Sequence, residues 1–74
     1  MSNLPRISGK RCVKALAAIG FIFRRQHGSH MILRRDDPFS QLTVPDHDEL
    51  DRGTLRAIIR QAGLTVDEFK NLVA

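Results

Sequence analysis

Residues 21–35 read Phe-Ile-Phe-Arg-Arg-Gln-His-Gly-Ser-His-Met-Ile-Leu-Arg-Arg. Two runs rich in aromatic and branched side chains, 21–27 and 30–35, flank a Gly-Ser pair. Glycine at the first central position of a two-residue loop suits a type II′ turn, whose twist matches that of the strands it joins. The stretch therefore predicts a β-hairpin turning at Gly28-Ser29. Residues flanking such a turn face one another, so His27 and His30 form a cross-strand pair on one face. Strict alternation puts Phe21, Phe23 and Ile32 on the histidine face, and Ile22, Met31 and Leu33 on the other. Both faces come out apolar, and a bulge or a longer loop would change the assignment.

Beyond the hairpin, Asp36-Asp37-Pro38-Phe39 makes a second turn, because proline cannot donate to a ladder and aspartate favours turn starts. Residues 40–44 follow as a short third strand with Leu42 and Val44 on one face. Residues 45–53 form an acidic loop. From Thr54 onward, Leu55, Ile58, Ile59 and Ala62 fall at i, i+3, i+4 and i+7, which predicts a helix stopped by Gly63. Arg56 and Arg60 line its opposite side, with Arg52 just before it. Thr65-Val66-Asp67-Glu68 is a capping box that opens a short final helix bearing Phe69, Leu72 and Val73. Upstream, Ser8 caps a helix over about residues 9–19, with Cys12, Val13, Leu16 and Ala17 at helical spacing and Gly20 as its stop. The order α-β-β-β-α-α predicts an α+β fold, a three-stranded antiparallel sheet with helices packed on one face.

A chain of 74 residues has room for one domain, 1–74, and one core, which excludes a multidomain enzyme. No apolar run approaches the ~20 residues of a membrane span, and the first residues carry no secretory h-region, so a cytoplasmic location is expected. The single cysteine, Cys12, makes no internal disulfide and reads as a small buried hydrophobe. Charge is sorted along the chain. Eight basic residues and no acid precede Asp36, then six acids and no base run to Asp51, and the net charge is +4. A basic face of this kind suits a polyanion, usually nucleic acid, although a solvated surface explains it too.

No phosphate-cradling glycine loop, GxSxG, HExxH or CxxC is present, and the acids lack calcium-loop spacing, so no metal or cofactor is expected. Three histidines remain: His27, His30 and His47. An imidazole can take a proton from a ribose 2′-hydroxyl or give one to a leaving 5′-oxygen, and RNA cleavage needs little else beyond cations. Histidines that merely sit on a surface hairpin and loop are the alternative.

The string Arg25-Gln26-His27-Gly28-Ser29-His30, then Thr43-Val44-Pro45, His47, Gly53-Thr54-Leu55-Arg56 and Ile58-Ile59-Arg60-Gln61-Ala62-Gly63-Leu64, resembles the HicA-type (YcfA-like) toxins of bacterial toxin–antitoxin systems. The resemblance covers nearly the whole chain. It implies a double-stranded-RNA-binding-domain-like fold, a metal-independent mRNA interferase activity and a HicB-type antitoxin that covers the active surface. The catalytic histidine of the family carries over onto His30, and Gly28 and Ser29 match the motif's turn. One position departs: the residue before the glycine is usually Lys or Arg in the family and is His27 here. His27 is either a second acid–base group or an exposed side chain that has lost a phosphate-binding charge. His47 matches a family histidine, and a local turn contact explains it equally well.

On this reading Lys10, Arg11 and Lys14 of the first helix, with Arg24, Arg25, His27, Ser29 and Arg34 of the hairpin, hold single-stranded mRNA while His30 promotes attack by the 2′-hydroxyl. A non-catalytic RNA-binding or protein-interaction module of the same fold is the alternative, and oligomeric state stays open.

Overall fold

The computed structural model describes residues 3–74. Its elements are α1 (Gly9–Ala17), β1 (Ile22–His27), β2 (His30–Asp36), β3 (Phe39–Pro45), α2 (Arg52–Gln61) and α3 (Val66–Val73). The strands form one antiparallel sheet in the order β1-β2-β3. Helices α1 and α2 pack on one face of it, mainly over β3, and α3 packs on α1 and α2. This is the α+β arrangement that the periodicities predict.

Each helix begins where a side chain satisfies an otherwise orphaned amide. Ser8 Oγ accepts from the Arg11 N–H (3.1 Å), and Thr65 and Glu68 bond reciprocally as a capping box (3.1 and 2.8 Å). The second helix starts at Arg52, two residues before the predicted Thr54, because Asp51 caps it by accepting from the Thr54 N–H at 3.1 Å. The acidic loop shrinks accordingly. The first helix stops at Ala17, short of the predicted 19, because the Ala18 and Ile19 amides turn back to the Ala15 and Leu16 carbonyls (3.1 Å each), tightening the last turn.

The parity of β1 differs from strict alternation. Phe23 pairs with Leu33 and Arg25 with Ile32, which leaves Arg24 as the extra residue of a β-bulge. Everything before the bulge therefore changes face. Phe21 and Phe23 leave the histidine face for the helix side, and Ile22 takes their place. Phe21 enters the core at 2% exposure, with the Arg35 guanidinium 4.5 Å from its ring centroid. On the helix side Met31, Leu33, Leu42 and Val44 are buried against Cys12, Leu16, Leu55, Ile58, Ile59 and Phe69. Leu4 and Ile7, ahead of the first helix, complete this core, and the Leu50 N–H donates to the Ile7 carbonyl at 2.9 Å.

Among the described residues, the opposite sheet face has no helix over it. It carries His27 and His30, Arg25 and Ile32, and Ile22 and Arg34 as cross-strand pairs, with Gln41, Thr43 and Pro45 from β3. Helix direction follows from two contacts. The Gly9 N–H reaches the His47 carbonyl just past the end of β3 (2.9 Å), and Ser40 near its start donates to the Gln61 carbonyl (3.4 Å). Both helices thus begin at the end of the sheet where the β1–β2 hairpin turns.

Burial pushes the Cys12 thiol up from 9.0 to about 12, so it stays protonated and inert. Iodoacetamide at pH 8 should label it only after unfolding. A Cβ at Gly9 would overlap the Pro45 carbonyl oxygen, whereas one at Gly53 meets nothing within 4 Å. Gly9→Ala should therefore cost about 1–3 kcal/mol in thermal denaturation, as overpacking does. Gly53→Ala should be neutral or stabilising by about 0.5–1 kcal/mol.

Candidate active site

Gly28 has φ +56°, and no non-glycine residue among those described has positive φ, so Ser29 keeps an ordinary backbone. That is the type II′ requirement, glycine first and an L-residue second. His27 and His30 pair directly across the turn, and His30 pairs on its other side with Pro45. Both imidazoles are exposed, in a row with proline at the rim of the uncovered face.

The turn is fastened at several points. Gln26 Nε2 donates to the Gly28 carbonyl (2.9 Å) and to Asp46 Oδ2 (3.1 Å). The Asp46 N–H donates to the Ser29 carbonyl at 2.6 Å, and the next residue, His47, accepts from Gly9. The loop after β3 thus binds the hairpin turn on one side and the start of α1 on the other. An exposed two-residue hairpin end frays readily; this one has a backbone and a side-chain anchor. Gln26 and Asp46 were not singled out in the sequence. Gln26 stands inside the motif string, but nothing in the sequence marks its contact with Asp46, which spans 20 residues and arises from the β2–β3 register. For His47 it is the backbone carbonyl that takes part, while the ring is exposed.

The expected RNA-binding residues fall into two groups. Arg25, His27 and Arg34 share the open face with His30; Ser29 lies in the turn and Arg24 at the bulge of the β1 edge. Arg34 Nε contacts Asp36 Oδ1 at 2.9 Å. Lys10, Arg11 and Lys14 are exposed on α1, in the helical layer on the other side of the sheet. Of these, Lys10 adjoins Gly9 at the hairpin end, and Arg11 Nη2 donates to the Val73 carbonyl (3.0 Å), tying α1 to α3. Among the described residues, no three His, Cys, Asp or Glu side chains gather where they could hold a metal ion. No helix among them is long and apolar enough to cross a membrane.

A histidine pair on a fastened hairpin, set at the rim of a basic and uncovered sheet face, belongs here to a small α+β fold with one open three-stranded sheet. The family described as the HicA toxin of bacterial toxin–antitoxin systems matches residues 9–64 of the 74. The chain belongs to this family, and is thus a toxin with an antitoxin as its counterpart. The match takes in the whole sheet and α2 and stops before α3. No curated protein matches the chain.

Removing the Gln26 anchor should loosen the turn without unfolding the domain. Gln26→Ala should raise amide exchange at Asp46 by an order of magnitude or so and change global stability by about 0.5 kcal/mol or less, as exposed positions do. Native-state hydrogen exchange and thermal melting measure the two quantities.

Proposed function

We propose that the protein is a metal-independent endoribonuclease that cleaves mRNA, with His30 as the catalytic residue. The single observation that supports this most is the position of His30: exposed, at the rim of the uncovered face, paired with His27 and one pair removed from Arg25. In the reaction, the His30 imidazole takes the proton of a ribose 2′-hydroxyl as its oxygen attacks the adjacent phosphorus. The bond to the 5′-oxygen breaks, and that oxygen leaves as a hydroxyl after taking a proton from water. The products are a 2′,3′-cyclic phosphate end and a 5′-hydroxyl end. Arg24, Arg25, Arg34 and the Ser29 turn hold the strand, and their cations offset the charge that builds on the phosphoryl oxygens. Lys10, Arg11 and Lys14 form a second cationic stretch for RNA that continues past the hairpin end.

His27 fits the role of a phosphate contact, in place of the Lys or Arg usual at that position in the family. The partner is a HicB-type antitoxin, whose surface toward Arg24 and Arg25 is acidic, and the setting is the cytoplasm, where mRNA is found.

His30→Ala should abolish cleavage of a long unstructured RNA and toxicity in cells, with a thermal transition shifted by about 0.5 kcal/mol or less. Chelator should leave wild-type cleavage unchanged. His27→Arg should cleave at least as well as wild type; loss of activity there would make His27 the second proton-transfer group. Undiminished cleavage by His30→Ala overturns the assignment. RNA binding without cleavage by the wild type would leave a binding module.

A further inference from the structure

The far end of the open face holds a residue that proton transfer at His30 does not use. Phe39 is the first residue of β3 and is 68% exposed, more than any other large hydrophobic side chain described. It pairs with Asp36, which puts it on the same face as His30, Ile32 and Arg34. From the hairpin end outward the face presents the two histidines, then Arg25 beside Ile32, then Arg34 beside Ile22, then Phe39. The one carboxylate in this row, Asp36, is engaged by Arg34. His30 and Asp36 are six residue steps apart along β2. At 3.2–3.4 Å per residue this is about 20 Å, a length that about three extended nucleotides cover.

We propose that this face is a track for single-stranded RNA, in which Phe39 stacks on a nucleobase about three nucleotides from the phosphate held at His30. Arg25 and Arg34 contact the phosphates between. The proposal rests on the ribonuclease reading for its ligand and extends it by a base-binding position. The charge pattern favours RNA over a protein as the occupant of Phe39. Cations lie at successive pairs between the aromatic ring and the histidines, the arrangement that follows a polyanionic backbone while offering a face to a base. Phe39 also contributes nothing to the core, so its exposure is not a by-product of packing.

The test uses uridine oligomers of two to eight nucleotides and the His30→Ala protein, which separates binding from cleavage. Fluorescence anisotropy should show a step in affinity at the length that brings a base to Phe39. Adding Phe39→Ala should remove that step, a loss of roughly 5- to 150-fold, the range found at stacking aromatics. Phe39→Trp should keep it. An abasic site moved along a heptamer should lower affinity at one position in the Phe39 protein and at none in the Phe39→Ala protein. Dinucleotide binding should be the same in both. Equal length dependence with and without Phe39, or a Phe39→Ala defect confined to antitoxin binding, overturns the proposal. Wild-type cleavage of the same oligomers reports separately on the ribonuclease reading: absent cleavage with an intact Phe39 step defeats that reading alone.

Discussion

One unpaired residue, Arg24, determines which face of the sheet the chain before it presents, and with it the burial of Phe21. Side chains alternate along a strand with a period of two, so a single insertion exchanges the faces of everything before it. Phe21, just before β1, must reach the core while Arg25 and His27 stay on the open face, and no uninterrupted alternation does both. Without the bulge Phe21 would leave the core, at a cost of about 1.5–3 kcal/mol for a large apolar side chain. The bulge also lies on an edge strand. A kinked edge bearing two adjacent arginines is a poor template for pairing with another chain, so the interruption that orders the core also protects the edge.

The hairpin end depends on the same register from the other side. Because His30 pairs with Pro45, the loop after β3 emerges beside the Gly28-Ser29 turn, where Asp46 meets Gln26 and the Ser29 carbonyl. The same loop passes under Gly9, where only a hydrogen leaves room for the Pro45 carbonyl. The chain thus gathers three segments far apart in sequence, 8–9, 26–30 and 45–47, at one end of the sheet. Groups that act on a flexible strand benefit from such fastening, since the geometry is fixed before the ligand arrives. Asp46 brings a carboxylate close to a basic surface, where it accepts a hydrogen bond from the Gln26 amide.

Much of this was legible because helix and turn signals are local. Ser8, the Thr65–Glu68 box, the Leu55-Ile58-Ile59 face and the Gly28-Ser29 turn each declare themselves within a few residues, and each is where the pattern puts it. Helix ends moved by two residues where Asp51 was the cap instead of a residue nearer Thr54, and where α1 tightened early. The bulge was not legible, since Arg24 is an ordinary exposed residue that nothing distinguishes from Arg25. Neither was the Gln26–Asp46 contact, nor the burial of Leu4 and Ile7, because these depend on tertiary approach. Charge counting found the basic half of the chain but could not separate the α1 cations from those of β1, which lie in different layers. His30 was identified through resemblance; composition alone offers three histidines of equal standing.

The open face is small, and its size bears on how it can be blocked. Three strands about 4.8 Å apart and roughly 20 Å long make a surface on the order of 300 Å² in plan. A stable protein–protein interface buries about 800 Å² on each partner, against a total surface here of 4881 Å². An antitoxin that seats on this face and buries a standard-sized interface would extend past its edge, toward Arg24 or the loop after β3. Arg25 and His30 belong to neighbouring pairs of the open face, so a partner seated over Arg25 would also lie close to His30 and would need no change of shape in the toxin to cover it. If RNA and the antitoxin both use this face, its size leaves them no room to bind side by side, and the cations that attract one attract the other.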